Sequence, residues 1–258
     1  MTQPASGPAL SDGMPLRPFV LCGGIIGLFT GRHGGVSADP FGTLNLSQAV
    51  GDDPAAVSRN RRLVLRATAP GPSRLAWMHQ VHGAEVAYAP AGTPARAPGP
   101  RADAMFTDSP AVAIGALVAD CAPVLIGDPV ARLVGAAHAG RPGLVAGVVP
   151  ALVRAMCEAG GQAARMRAAI GPAICGGCYE VPAQMRDQVA AAVPESACVT
   201  RKGTPGIDVR AGVLAQLASL GVAATDGDSR CTAESGELFS YRRDGWTGRF
   251  AGLIWLAP

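Results

Sequence analysis

The chain has 258 residues, 48% of them hydrophobic and 16% charged, with 34 Gly, 22 Pro and a formal net charge of +3. That apolar share can fill a core and excludes a disordered or fibrous chain. A charge so mild, with no long Lys/Arg run, excludes a nucleic-acid groove and leaves small molecules as the expected partners.

Residues 1–18 are polar and proline-rich, lack the apolar stretch of a secretory leader, and read as a flexible tail. The apolar run 19–29 is too short to span a membrane and reads as one strand. A glycine-rich turn follows at 31–37. Residues 53–67 carry Val57, Leu63 and Leu65 among arginines and read as a helix, with Asp53 as N-cap and Pro54 in the first turn. The Pro/Gly-rich stretch 91–101 is expected to be a mobile surface loop. It does not read as a domain linker, because the short strands on both sides need a shared sheet. The centre is strand-rich at 111–118, 123–127 and 132–137, with Asp128-Pro129 turning the last two. Helices are expected at 143–159, 183–193 and 208–220, and a last strand at 250–256. Strands and helices intermingle without regular βαβ alternation, so the expected class is α+β, with a single domain over 19–258.

Seven cysteines (Cys22, Cys121, Cys157, Cys175, Cys178, Cys198 and Cys231) are an odd count and a poor disulfide framework. They point to a reduced, cytoplasmic chain in which most cysteines pack as small core residues. There are four histidines, His33, His79, His82 and His138. His79 and His82 would share one face of a helix, but Gly83 and the strand-like Glu85-Val86-Ala87-Tyr88 favour a strand-to-turn setting, in which only one of them faces a given site. Cys121, preceded by Asp120, sits where one apolar strand stops and another begins; His138 sits at a strand end among Ala and Gly. Two antiparallel strands and one turn separate Cys121 from His138, and such a hairpin can bring its outer ends together.

A thiolate beside an imidazole permits two chemistries. With His82 as third ligand the trio holds Zn²⁺ and leaves a fourth position open. Alternatively His138 activates Cys121 as a nucleophile, with Asp120 as the orienting carboxylate. Against both stands the ordinary fate of a free cysteine, which is burial in a core. Cys175-Gly176-Gly177-Cys178 has no second CxxC and no nearby His, so a zinc ribbon is unsupported and packing cysteines are the expected reading. His82-Gly83-Ala84-Glu85 and Pro172-Ala173-Ile174-Cys175 miss the register of the zinc deaminase signature. Arg242, Arg243 and Arg249 crowd together near the C-terminus, as a solvated turn or as a clamp for phosphate or carboxylate.

An ordered set of segments carries a resemblance. It comprises Arg32-His33-Gly34-Gly35-Val36-Ser37, Leu44-Asn45-Leu46, Gly51-Asp52-Asp53, Asn60-Arg61, Gln80-Val81-His82-Gly83, and Ala102-Asp103-Ala104. It continues with Ala119-Asp120-Cys121, Ala137-His138-Ala139-Gly140, Ile170-Gly171-Pro172, Tyr179-Glu180-Val181, Cys231-Thr232, and Phe239 through Arg249. Together they resemble the laccase-domain family, also called multicopper polyphenol oxidase-like or YfiH-type. The resemblance implies one layered α/β/β/α domain related to cysteine-hydrolase folds, and zinc held by His82, Cys121 and His138. It implies a purine nucleoside phosphorylase acting on adenosine, inosine, guanosine or methylthioadenosine, with adenosine deaminase activity at the same site. Other members are described as peptidoglycan editing factors acting on mis-aminoacylated UDP-sugar precursors. On this reading Cys121, His138 and Asp120 are catalytic. Arg32, Asn45, Arg61, Asp103, Arg242 and Arg243 bind substrate, and the chain works as a monomer. Copper oxidation is disfavoured, because four histidines cannot supply a laccase's further copper sites. Where the family continues with Trp-Arg-Gly, this chain reads Arg141-Pro142-Gly143, which puts the anion-binding role on Arg141 or on Arg242 and Arg243.

Overall fold

A computed structural model describes residue 16 and residues 18–93 and 99–258. Most of the expected tail, and positions 94–98 of the expected 91–101 loop, therefore lie outside the described residues. Leu16 is buried against the same cluster as Leu44, Val64 and Trp255.

The strands are β1 (Phe19–Cys22), β2 (Ile25–Phe29), β3 (Arg74–Trp77), β4 (Val86–Tyr88), β5 (Ala104–Thr107), β6 (Val112–Val118) and β7 (Ala122–Asp128). They continue with β8 (Leu133–Ala139), β9 (Arg167–Ile170), β10 (Ala197–Val199), β11 (Pro205–Ile207), β12 (Ala223–Asp226) and β13 (Phe250–Leu256). The helices are α1 (Pro54–Ala67), α2 (Arg141–Ala146), α3 (Val148–Glu158), α4 (Ala183–Ala192), α5 (Val209–Ser219) and α6 (Tyr241–Asp244). One mixed sheet runs β1-β2-β13-β6-β3, the other β12-β9-β7-β8-β5-β4, and β10-β11 form a separate hairpin. This is the α+β class expected from the sequence. It is layered as helix, sheet, sheet, helices, because each sheet must bury both faces.

Buried apolar clusters fill the layers. One, with Ile25, Ile114, Leu125 and Ile254, lies between the sheets. A second packs the outer face of the six-stranded sheet, through Val124, Ile126 and Ala137, against Leu152, Met156, Val213 and Leu217 of the helices. A third packs Val64 of α1 on Leu28, Leu75 and Leu253. Strands β7, β8 and β13 are buried along their whole length. That explains why they read as unbroken apolar runs rather than alternating ones.

Two expected elements are broken by glycine. The single strand at 19–29 is a hairpin, because Gly23 and Gly24 adopt φ of 35° and 77° and turn the chain. The helix expected over 143–159 is two, α2 and α3, divided at Gly147 with φ 78°. Helix α1 forms as its sequence directs, with the Asp53 side chain accepting from Ala55 N at 2.9 Å. Strands β4 and β5, which flank the 91–101 loop, are parallel neighbours in one sheet.

Candidate metal centre

The β7–β8 hairpin closes as its sequence suggests. Pro123 pairs with His138 and Ala122 with Ala139, so Cys121, one residue before β7, lies beside the end of β8. The third donor comes from the segment after β3. His82 takes φ 61°, a left-handed conformation uncommon outside glycine. Its backbone N–H donates to Asp103 Oδ1 at 2.9 Å, and those of Val81 and Gly83 donate to Asp103 Oδ2 at 3.1 and 2.7 Å. The turn is thus wrapped around one fully buried carboxylate. The same Asp103 Oδ1 lies 2.8 Å from His138 Nδ1. A buried carboxylate accepts there, so the proton sits on Nδ1 and Nε2 is left to ligate.

The donor atoms of His82, Cys121 and His138 all lie within 4.8 Å of one another. The rings of His82 and His138 meet edge-on with centroids 4.6 Å apart. Gly140 leaves them space: a Cβ there would come within 2.9 Å of both Cys121 Sγ and His82 Cδ2. Burial opposes ionisation of the Cys121 thiol, but the charges and hydrogen bonds of His138 and His82 overcome it and lower it to about 6. Burial likewise opposes the charged form of His138, but Cys121 and Asp103 raise it to about 9. Asp103 resists its own burial and falls below the usual carboxylate range, held by His138 and the N–H groups of Gly83 and Val81. Two imidazoles and a thiolate-forming cysteine, one imidazole oriented by a carboxylate, are a donor set suited to a borderline-soft divalent ion. No further Cys or His joins the trio among the described residues. Cys175 and Cys178, read from the sequence as packing cysteines, belong to a separate group with Cys231 and Glu234.

The trio lines a cavity of about 830 Å³. Arg61, Arg141, Arg242 and Arg249 line it too, with Trp77 and Tyr179 among the aromatic residues of its wall. Each of these arginines is anchored. Arg61 stacks 4.8 Å over Trp77, donates through Nε to Leu46 O at 2.8 Å, and is lowered to about 10 by burial, so it stays charged at neutral pH. Arg242 lies 5.1 Å over the Tyr179 ring and donates to Glu180 O at 3.0 Å. Arg249 donates to Thr247 O and Gly248 O at 2.7 and 2.9 Å. Arg141 opens α2 and faces Tyr179, whose hydroxyl is held above its usual range by burial, against the opposite pull of Arg141. Pro142 after it occupies the first turn of α2, where a missing N–H costs nothing.

Other expected site residues have different positions. Arg32, Asn45, Asp103 and Arg243, expected to bind substrate, do not reach the cavity wall. Arg32 lies over the Phe239 ring and pairs with Asp244. Asn45 is fully buried, and its Oδ1 accepts Arg249 N at 2.9 Å. Arg243 turns away from its neighbour Arg242 and donates to Thr232 O, Ser235 O and Leu238 O, each at 2.7 Å. Asp120 does line the cavity, with φ 93°. Its Oδ1 accepts from Thr232 Oγ1 at 2.6 Å and Ser240 Oγ at 2.7 Å, and its Oδ2 from Arg242 N at 2.6 Å. It therefore fastens α6, and with it Arg242, to the metal centre. Tyr179 and Trp77 were not singled out from sequence. Tyr179 stood in a matched segment, but nothing in the pattern marked Trp77.

The chain matches, over residues 27–257, the family described as multi-copper polyphenol oxidoreductase laccase. It is 55% identical to a purine nucleoside phosphorylase of Streptomyces coelicolor, over 88% of this chain and 94% of that one. It is 47% identical to a purine nucleoside phosphorylase of Mycobacterium tuberculosis, over 88% and 90%. A crystal structure of a Neisseria meningitidis protein superposes with a TM-score of 0.81 at 36% identity, covering 91% of this chain and 95% of that one.

Proposed function

The chain belongs to the multi-copper polyphenol oxidoreductase laccase family, and from that premise we propose that it is a zinc-dependent purine nucleoside phosphorylase. The observation that carries the reading is one cavity lined by both a His-Cys-His donor set and four arginines. Donor chemistry supports zinc as the metal. One thiolate and two imidazoles suit zinc, and a multicopper oxidase needs histidine-rich sites beyond the four histidines present. His33 is an exposed partner of Glu237, so it supplies no second centre.

His82, Cys121 and His138 would hold the zinc, which when bound supplies Lewis acidity beside the nucleoside. The remaining work falls to the chain's own side chains. Arg61, Arg141, Arg242 and Arg249 bind inorganic phosphate, and guanidinium groups suit its oxygens bidentately. Held there, a phosphate oxygen attacks the anomeric carbon while the bond to the purine nitrogen breaks; the purine leaves with a proton and ribose 1-phosphate remains. The bound anion lies against the positive charge developing on the sugar, so positioning and electrostatics carry the catalysis. Asp103 keeps His138 oriented, and Asp120 keeps Arg242 in place. Among the described residues no helix is long and apolar enough to cross a membrane. The seven cysteines are unpaired, which supports a reducing, cytoplasmic setting.

The test is the release of hypoxanthine from inosine by zinc-loaded protein, with and without phosphate. Release that rises and saturates with phosphate supports the proposal. Turnover indifferent to phosphate, or ammonia from adenosine as the sole product, would transfer the cavity to hydrolysis and overturn it.

A further inference from the structure

Cys175 and Cys178 do not pack as isolated core residues. With Cys231 and Glu234 they form a second group, whose three sulfurs and a carboxylate oxygen all lie within 4.8 Å of one another. The two chain segments meet through short backbone links. Cys178 N and Tyr179 N both donate to Cys175 O, at 2.9 and 3.0 Å, folding the CxxC into a tight turn. Thr232 N donates to Ala173 O at 3.1 Å, and Cys175 N donates to Cys231 Sγ at 3.4 Å. Glu234 N and Ser235 N return to Cys231 O, so the second segment is also a turn with its donors on one side. Arg201 closes the group. Its Nη1 lies 3.2 Å from Cys178 Sγ, its Nη2 3.7 Å from Cys175 Sγ, and both nitrogens reach the Glu234 carboxylate. Cys198 stays outside, its thiol directed to Gly176 O at 3.5 Å.

We propose that Cys175, Cys178, Cys231 and Glu234 form a second, structural binding site for zinc or a similarly soft divalent cation, distinct from the His82, Cys121 and His138 centre. Two turns that present four convergent donors are how small structural zinc sites are built, and such sites are closed, with all four positions taken by protein. Tetrahedral Zn–S bonds of about 2.3 Å set sulfurs about 3.8 Å apart, so the group needs only a small contraction. Three thiolates and a carboxylate carry more negative charge than one divalent ion offsets, and the Arg201 guanidinium at their edge reduces the excess. A disulfide between Cys175 and Cys178 would use two of the three sulfurs and leave only Cys231 and Glu234 as donors. The site would brace the catalytic cavity. Tyr179, next to Cys178, is in the cavity wall under Arg242, and Thr232, next to Cys231, holds Asp120.

Metal content tests this without any assay of turnover. Full-length protein is equilibrated with zinc under a thiol-free reductant, desalted and analysed by elemental mass spectrometry. The wild type is expected to hold about two zinc ions per chain, Cys121→Ser about one, and the Cys175→Ser/Cys178→Ser double variant about one. Cobalt loading gives a second readout that leaves the proposed ligands intact. Cys121→Ser protein should keep strong sulfur-to-cobalt charge-transfer absorption, which only the second site can then produce. If the double variant does not fold, this measurement decides alone. A Cys121→Ser chain with no zinc and no such absorption, or a Cys175–Cys178 disulfide found by thiol counting after zinc loading, overturns the proposal.

Discussion

Asp103 shows how much one side chain can decide. It is fully buried, yet it accepts three successive backbone N–H groups and faces a histidine, so the same two oxygens shape the His82 turn and orient the His138 ring. Asp103→Asn keeps the size but loses the charge and one acceptor. Zinc affinity should fall about 10–100-fold, the range seen when a carboxylate behind a ligating histidine is removed. Competition with a chromophoric chelator reads this directly, and an unchanged affinity would remove Asp103 from the centre. Arg141 carries a second expectation. It stands where the family pattern has tryptophan, yet it lines the cavity beside Tyr179. If it binds phosphate, Arg141→Met should raise KM for phosphate about tenfold or more, the worth of a hydrogen bond to a charged group, and change KM for inosine much less. Residue patterns could not choose between His79 and His82. The choice is made by the left-handed turn at His82 and its contacts with Asp103, which lies about twenty residues on and left no local mark. Arg242 and Arg243 were equally indistinct, because adjacent residues on a short helix point in different directions.

At the scale of elements, the β7–β8 hairpin is the frame of the site, and Asp128 ties its turn. The Asp128 side chain accepts Val130 N and Ala131 N at 2.9 and 3.0 Å, Gln162 N at 2.8 Å, and an ion pair from Arg165. Burial opposes its ionisation, but these donors outweigh it and hold the carboxyl below its usual range. A depressed folded-state pKa contributes stability above the unfolded value, near 3.9, and loses it as pH falls through the folded one. Asp128→Asn should therefore cost about 1–3 kcal/mol at neutral pH, and the gap to wild type should narrow as pH falls below about 4. Urea unfolding at several pH values checks the sign; a gap that widens in acid contradicts it. This hairpin was legible because its strands are unbroken apolar runs around Asp128-Pro129. Strands β9 and β12 were not, since Arg-Ala-Ala-Ile and Ala-Ala-Thr-Asp carry little β-branched or alternating signal. They are strands because of distant partners: β9 lies between β7 and β12, and β12 pairs with β9 from more than fifty residues away. The breaks at Gly23-Gly24 and Gly147 were missed because glycine is tolerated inside an element as well as at its end.

Across the whole molecule, two sheets from distant parts of the chain build one cavity. Its donors come from the turn after β3 and from β7 and β8, and its arginines from α1, α2, α6 and the entry to β13. The donor trio could be assembled from the resemblance together with the hairpin. The cavity wall could not, because Trp77, Tyr179 and Arg249 meet only when the sheets stack. The central claim is that this cavity holds phosphate against a nucleoside, and phosphorus NMR of the products tests it most directly. Zinc-loaded protein supplied with inosine and phosphate should form ribose 1-phosphate in step with hypoxanthine, and Cys121→Ser should form neither. Hypoxanthine accompanied by free ribose, with phosphate unconsumed, would contradict the account.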